Sequence, residues 1–298
     1  MPDIQNARHI GMRRAAALAN LSLDQQLDLI CEGLPALMGS VQSLLDAAKE
    51  LSDHPRSAAI LSRNASEEIA KILILVDLVR CPNRLRASKT SAMIKWFYNH
   101  LARLIYVEAQ SWKPMSVQQL QDYIDTRRPS HYLEGAIGEY ILPNHEVFQR
   151  ESDMYADIIC HDDGTLHWHD PNEMHRNSDL PFDFLGECSA PRPWQVCVAL
   201  RDFGLFTREG LGIMSDAWSK TDFREEETWH DAKARVEEML VACEKAGVIA
   251  KHAQQDQVSC LYNSWQMPMY HLEFSQINVS LDELRAQQER NLAMEMGY

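Results

Sequence analysis

The sequence predicts a mainly α-helical protein: an antiparallel helical bundle, then an acidic C-terminal region that is mixed at first and helical again at its end. Three observations predict this class. Apolar residues recur at three- and four-residue spacing through most of the first 110 positions, which lines one stripe of a helix. The capping-box patterns Ser22-Leu-Asp-Gln25, Ser116-Val-Gln-Gln119 and Ser280-Leu-Asp-Glu283 stand where helices would begin. Between 129 and 193 the periodicity fades and Pro, Gly, Asn, Asp and His crowd the chain, as in connecting segments.

Each element follows from its own signals. Ser22–Gln25 opens a helix predicted to end near Gly33. The next is predicted from about Pro35 to Leu51, on the stripe Leu37, Val41, Leu44, Leu45, Ala48 and Leu51. Asp53-His54-Pro55 breaks it, and Pro55 suits the first turn of a new helix. A long helix over about 56–79 buries Ala65, Ile69, Ile72, Leu73 and Val76, and Cys81-Pro82-Asn83 stops it. Another spans about 88–110, with the stripe Met93, Trp96, Phe97, His100, Leu101 and Leu104. A short helix runs from Ser116 to about Arg127. Short connections between such helices give an antiparallel bundle over residues 1–128.

Residues 129–298 form the second region. Tyr155–Cys160 and Thr165–His169 are predicted to pair as a small β-hairpin around Asp162-Asp163-Gly164. Gly135-Ala-Ile-Gly138 reads as a loop, and Arg150-Glu-Ser-Asp-Met-Tyr155 as a packed junction between the two halves. Helical signals return after Pro193. A cap at Asp222-Phe-Arg-Glu225 predicts a helix to Lys245 with Gly247 as its stop, and Ser280–Glu283 opens a final helix.

Composition excludes several classes of function. Of the 298 residues, 45% are hydrophobic and 24% charged, the balance of a folded globular chain. No apolar run is longer than that from Ile72 to Val76, which is too short to span a bilayer, and Met1–Asn20 lacks the apolar core of a secretory signal. The seven cysteines are scattered without a C-x-x-C pair, which fits reduced thiols and a cytoplasmic location. No phosphate-binding glycine motif or G-x-S-x-G elbow occurs, so no cofactor is expected.

Charge is uneven. Residues 1–110 hold 13 basic against 11 acidic residues, and 111–298 hold 16 against 32. The stretch 78–107 carries Arg80, Arg84, Arg86, Lys89, Lys95 and Arg103 and no acid. Arg80, Arg84, Arg86 and Lys89 are therefore the candidate RNA contacts, since a polyanion would be drawn there and repelled elsewhere. The other reading is a solvated helix face neutralised by the acidic half.

The candidate catalytic residues come from two helices. At about 100° per residue, His100 falls inside the apolar stripe of its helix with Arg103 beside it, and Lys95 nearly opposite. On the preceding long helix, Glu68 borders the apolar face, whereas Glu67 points away and can pair with Lys71. Histidine exchanges a proton near neutral pH, a guanidinium offsets phosphorane charge, and a carboxylate orients the ring. His100, Arg103 and Glu68, with Lys95 as a second cation, would suit metal-free RNA cleavage. The competing reading makes His100 an ordinary hydrogen-bonded core residue.

The segments Leu45-Asp-Ala-Ala-Lys-Glu-Leu51, Ser57-Ala-Ala-Ile-Leu61 and Ala65-Ser-Glu-Glu-Ile-Ala-Lys71 resemble the HEPN helical domain, and the Ser-Glu-Glu-Ile-x-Lys form resembles its AbiV-type branch of bacterial abortive-infection proteins. The resemblance covers roughly residues 35–110. It implies a metal-independent ribonuclease acting as a homodimer. It also implies phage defence by shutting down translation, with tRNA or another translation RNA as target and a phage protein as activator. The family signature is Arg, four to six residues, then His. The nearest match here is Lys95-x-x-x-x-His100, with Lys for Arg and Trp96 where a polar residue is usual. The small residues Ala58, Ala59, Ala65 and Ala70 would permit close helix approach in a dimer. The alternative function is a non-catalytic dimerisation or protein-interaction module. A weaker rival is a metal-dependent site among His131, His145, His161, His167, His169 and His175, where His167 and His169 would share a strand face. No complete ligand spacing is present, so no metal is expected.

Overall fold

The computed structural model describes residues 15–135, 140–160, 164–176 and 191–295. Among these the chain is mainly helical, as the apolar periodicity predicts. Helices α1 (Leu23–Glu50), α2 (Pro55–Arg80), α3 (Asn83–Tyr98), α4 (His100–Ala109) and α5 (Val117–Arg127) come first. Then follow β1 (His131–Glu134), β2 (Tyr140–Pro143), α6 (His145–Met154), β3 (Asp157–Cys160), β4 (Leu166–His169) and α7 (Pro171–Arg176). The chain continues with α8 (Arg192–Asp202), α9 (Arg208–Trp218), α10 (Trp229–Ala246), α11 (Gln255–Ser264) and α12 (Leu281–Glu295).

Two helix predictions need correction. The break expected at Gly33–Pro35 does not occur, and α1 runs through Pro35. Proline there removes one backbone bond, a local cost of about 3 kcal/mol. Leu27, Ile30, Leu34, Met38 and Val41 nevertheless continue one buried stripe across it, and Pro35 itself is exposed, so packing against α2 outweighs the local cost. The helix expected over 88–110 instead begins at Asn83 and is interrupted at Asn99, whose backbone is extended (φ −92°, ψ 124°). The Asn99 side chain accepts from Ala102 N at 2.9 Å and so caps α4.

The three predicted capping boxes lie at helix starts. Ser22 and Gln25 form a capping box, Ser116 caps α5, and Ser280 and Glu283 cap α12. The cap expected at Asp222 is not used. Asp222 instead accepts from Arg84, Arg224 and His271, and α10 begins at Thr228 with Asp231 closing its box. Gly247 stops α10 in the left-handed region (φ 68°) that a residue without Cβ enters freely.

Both sheets are two-stranded and antiparallel. The predicted hairpin pairs Ile158 with Trp168 and Cys160 with Leu166; its turn residues 161–163 lie outside the described residues. A second hairpin, β1–β2, pairs His131 with Pro143 and adds to the predicted one. Of the loop predicted at Gly135–Gly138, residues 136–138 lie outside the described residues.

Helix α2 is the centre of the molecule. From Ile69 to Arg80 every residue except Lys71 is buried, because α1 covers one side, α4 another, and α8 and α9 its C-terminal half. One hydrophobic core runs from Leu18 to Phe274 across the 128/129 boundary. Inside it Arg80, 1% exposed, lies between the rings of Trp218 and Trp265, 4.6 and 4.3 Å from their centroids. Its partner Asp77 also accepts from Tyr106 Oη and from Met269 N. The pair is tolerated in the core because each charge is matched and hydrogen-bonded.

Candidate functional site

The interruption at Asn99 decides what α4 presents. A continuous helix would have turned His100 into the core. Starting α4 anew makes His100 its first residue, with a side chain 54% exposed, and turns Arg103 inward to 8%. The predicted stripe skips His100: it ends at Trp96 and resumes at Leu101, both buried.

The carboxylate that meets them is Glu67, not Glu68. Glu67 Oε2 lies 2.7 Å from His100 Nδ1 and 2.5 Å from an Arg103 Nη. Its other oxygen, Oε1, accepts from Arg150 Nε of α6 at 2.9 Å. Glu68 pairs with Lys71 instead, and that ammonium also sits 5.6 Å above the Phe97 ring. The structure thus exchanges the roles that a helix with a single buried face predicts for the two glutamates. Instead α2 is surrounded, and the side opposite its apolar stripe faces α4 and α6.

Three donors hold Glu67 in its ionised form. Burial alone would raise its pKa. The hydrogen bond from Arg150, the charge of Arg103 and the contact with His100 outweigh that and hold it below the ordinary carboxylate range. His100 Nδ1 also lies 2.7 Å from Arg103 Nη2. It can donate to the carboxylate or accept from the guanidinium, and the ring's tautomer follows from which it does. When Nδ1 donates to Glu67, the Nε2 lone pair is left to take up a proton.

His100 and Arg103 stand in the wall of a cleft of about 600 Å³. Ser40 and Leu44 of α1, Asn64, Glu67, Glu68 and Lys71 of α2, and Phe97 and Tyr98 of α3 complete it. Its lining is mostly polar and charged, with Phe97 and Tyr98 as aromatic members. Lys95 is exposed on α3 and does not line this cleft.

The basic stretch is divided by burial. Arg80 is locked in the core pair, and Arg86, 4% exposed, donates to Val79 O, Cys81 O and Ser215 Oγ, each at 3.0 Å. Neither is accessible to RNA; both neutralise buried acceptors, and Arg86 ties off the end of α2. Arg84 is exposed and bonded to Asp222 at 3.2 Å, and Lys89 is half-buried. The acidic half supplies Asp222 as the counter-charge there.

Other candidates are also placed. Ala58, Ala65 and Ala70 are buried in this chain's own packing, so they do not offer a surface to a second copy. His169 Nε2 contacts Ser152 O at 3.0 Å. Among the described residues no three or more His, Cys, Asp or Glu side chains are grouped to hold a metal ion, and His161 lies outside them. Among the described residues no helix is long and apolar enough to cross a membrane. The 150–155 segment is a junction, but it also delivers Arg150 to Glu67, a role that its mixed polar sequence does not single out. No family model, curated protein or solved structure matches this chain.

Proposed function

We propose that the cleft between α1, α2, α3 and α4 cleaves RNA without a metal ion. One observation carries the reading: a histidine with an exposed ring is held by a buried carboxylate and flanked by an arginine at the wall of an open cleft. In this scheme His100 Nε2 takes the proton from a ribose 2′-hydroxyl, whose oxygen attacks the adjacent phosphorus. The bond from phosphorus to the 5′-oxygen breaks, and that oxygen receives a proton, leaving a cyclic phosphate and a 5′-hydroxyl. Glu67 stabilises the imidazolium, as a carboxylate does for a histidine base elsewhere. Arg103 offsets charge on the phosphorane, and the first turn of α4 adds its partial positive charge. A homodimer that brings a second His100 to the same groove would supply the acid for the leaving oxygen.

The wider role rests on the resemblance described above. On that reading the protein is a phage-defence effector of the abortive-infection type that shuts down translation by acting on tRNA or a related RNA after a phage protein activates it. Expression of the wild-type protein in bacteria should arrest growth and degrade cellular RNA, and His100→Ala should do neither. Equal toxicity of the two would remove the catalytic part of the proposal.

A second reading, the non-catalytic interaction module, is favoured by a separate observation. Ile158, Leu166 and Trp168 lie on one face of the β3–β4 hairpin and are 53, 68 and 72% exposed. An apolar patch of that kind suits contact with another protein.

A further inference from the structure

Helix α6 reaches Glu67 through Arg150, and the way it is held suggests what that residue does. Arg56, Arg63 and Glu67 are seven and four residues apart on α2, so they share one side of it. All three meet α6. Arg56 Nε donates to Asp153 O at 2.9 Å and its Nη2 to Met154 O at 3.2 Å. Arg63 donates twice to Asp153 Oδ2, at 3.2 and 3.0 Å, and reaches Gln149 Oε1 at 3.4 Å. Arg150 completes the ladder on Glu67 Oε1.

Apolar anchoring of α6 is slight. Its buried residues are Ser152 and Asp153; Val147, packed against the core, and Met154 are half-buried, and Phe148 is exposed. Charge and hydrogen bonds therefore hold most of this helix against α2, unlike the apolar packing between α1 and α2. Such contacts weaken with salt and with loss of any one member.

The groups around Glu67 make Arg150 consequential. His100 and Arg103 from α4, Glu68 and Lys71 from α2, and Arg150 from α6 are the charged or titratable groups that face it. Arg150 bonds Oε1, and His100 and Arg103 meet at Oε2. Without Arg150, the Arg103 fork could spread over both oxygens, which changes the balance between an Nδ1 that donates to Oε2 and one that accepts from Arg103.

We propose that Arg150 is a positioning residue, and that docking of α6 on α2 through the Arg56–Arg63–Glu67 ladder regulates the site by setting how Glu67 divides its oxygens between His100 and Arg103. The regulatory meaning rests on His100 being the working group, as proposed above. The coupling itself does not. Docked α6 presents a carboxylate bonded by Arg150 on one oxygen and shared by Arg103 and His100 on the other, with one ring tautomer balance. Displaced α6 presents another. Any partner that engages the exposed end of α6 would thereby reach His100 without touching it.

The test is nuclear magnetic resonance of the full-length protein without RNA, so a protein that cleaves nothing still answers it. Glu67 is followed by its carboxyl carbon through a pH titration, and His100 by its ring nitrogens, which report the tautomer. Arg150→Ala should move the Glu67 midpoint upward and change the tautomer ratio by about two- to tenfold, the worth of one hydrogen bond. Arg63→Gln, which does not touch Glu67, should move both signals the same way and further at high salt. Arg150→Lys should recover much of the Glu67 shift by restoring the charge. The proposal is overturned if Arg150→Ala or Arg63→Gln leaves both signals at their wild-type positions. It is overturned equally if Arg150→Lys behaves as the Ala variant does, because packing rather than charge would then explain the effect.

Discussion

Glu67 holds His100 by a 2.7 Å contact between Oε2 and Nδ1, and the two residues are 33 positions apart in the chain. The helix α2 that carries Glu67 has almost no solvent face over its C-terminal half, so its polar side chains meet neighbouring helices rather than water.

The first prediction separates the two adjacent glutamates. Glu67→Gln keeps the shape but leaves Arg103 and Arg150 without their anion, and should lower RNA cleavage by about 10²-fold or more, in the range of general acid–base effects. Glu68→Gln, which loses only the pair with Lys71, should change it little. Stability should follow the same residue. The folded protein holds Glu67 below its ordinary value, so this contribution is present above the ordinary carboxylate range and is lost as pH falls through the lowered value. Acid unfolding curves should therefore show a steeper loss below about pH 4.5 in the wild type than in Glu67→Gln.

A second prediction concerns the basic stretch, where neutralising Arg84 and Arg86 together would conflate binding with folding. Arg86→Ala leaves three acceptors around a buried gap and should cost about 2–4 kcal/mol in denaturant unfolding. Arg84→Ala removes an exposed pair and should cost under about 1 kcal/mol. If RNA contacts this surface, Arg84→Ala should reduce the salt dependence of binding while the fold stays intact. An unchanged salt slope would take Arg84 off the RNA path.

How much of this was legible in the sequence depends on what each residue answers to. Caps and the Cys81-Pro82 stop act over a few residues, so α2, α5 and α12 could be read closely. Pro35 misled because a buried stripe of long-range contacts outweighs a local preference. Asn99 misled in the opposite sense: an asparagine inside an apolar pattern reads as helix, yet its side chain caps a new one. The apolar run Ile72-Leu-Ile-Leu-Val76 held a usable signal. A helix apolar on every side lies at the centre of its fold, and on such a helix Glu67 as well as Glu68 has a neighbour to meet. Arg150 had no such signal, since its partner is set by how α6 lies across α2.

A third prediction uses the far side of α6. Glu146, at its start, is pushed up to about pKa 7 by burial first and then by the nearby Glu108 carboxylate. A carboxyl whose folded value is raised favours the fold while protonated, so its contribution falls as pH rises from the ordinary carboxylate value through about 7. Glu146→Gln should therefore flatten the stability profile between about pH 5 and 8 and stabilise the protein at its alkaline end. Thermal unfolding across that range is the measurement, and a parallel profile for the two proteins would show that Glu146 is ionised without penalty.

The central claim is that His100, held by Glu67, transfers a proton during RNA cleavage, and the most direct measurement is cleavage of total RNA by purified wild-type and His100→Ala protein in EDTA, with both shown to be folded. The account predicts cleavage by the wild type that EDTA does not reduce, ending in cyclic phosphates, and no detectable cleavage by His100→Ala. Equal cleavage by both proteins, or none by a wild type that still arrests growth, would contradict it and leave the interaction module in its place.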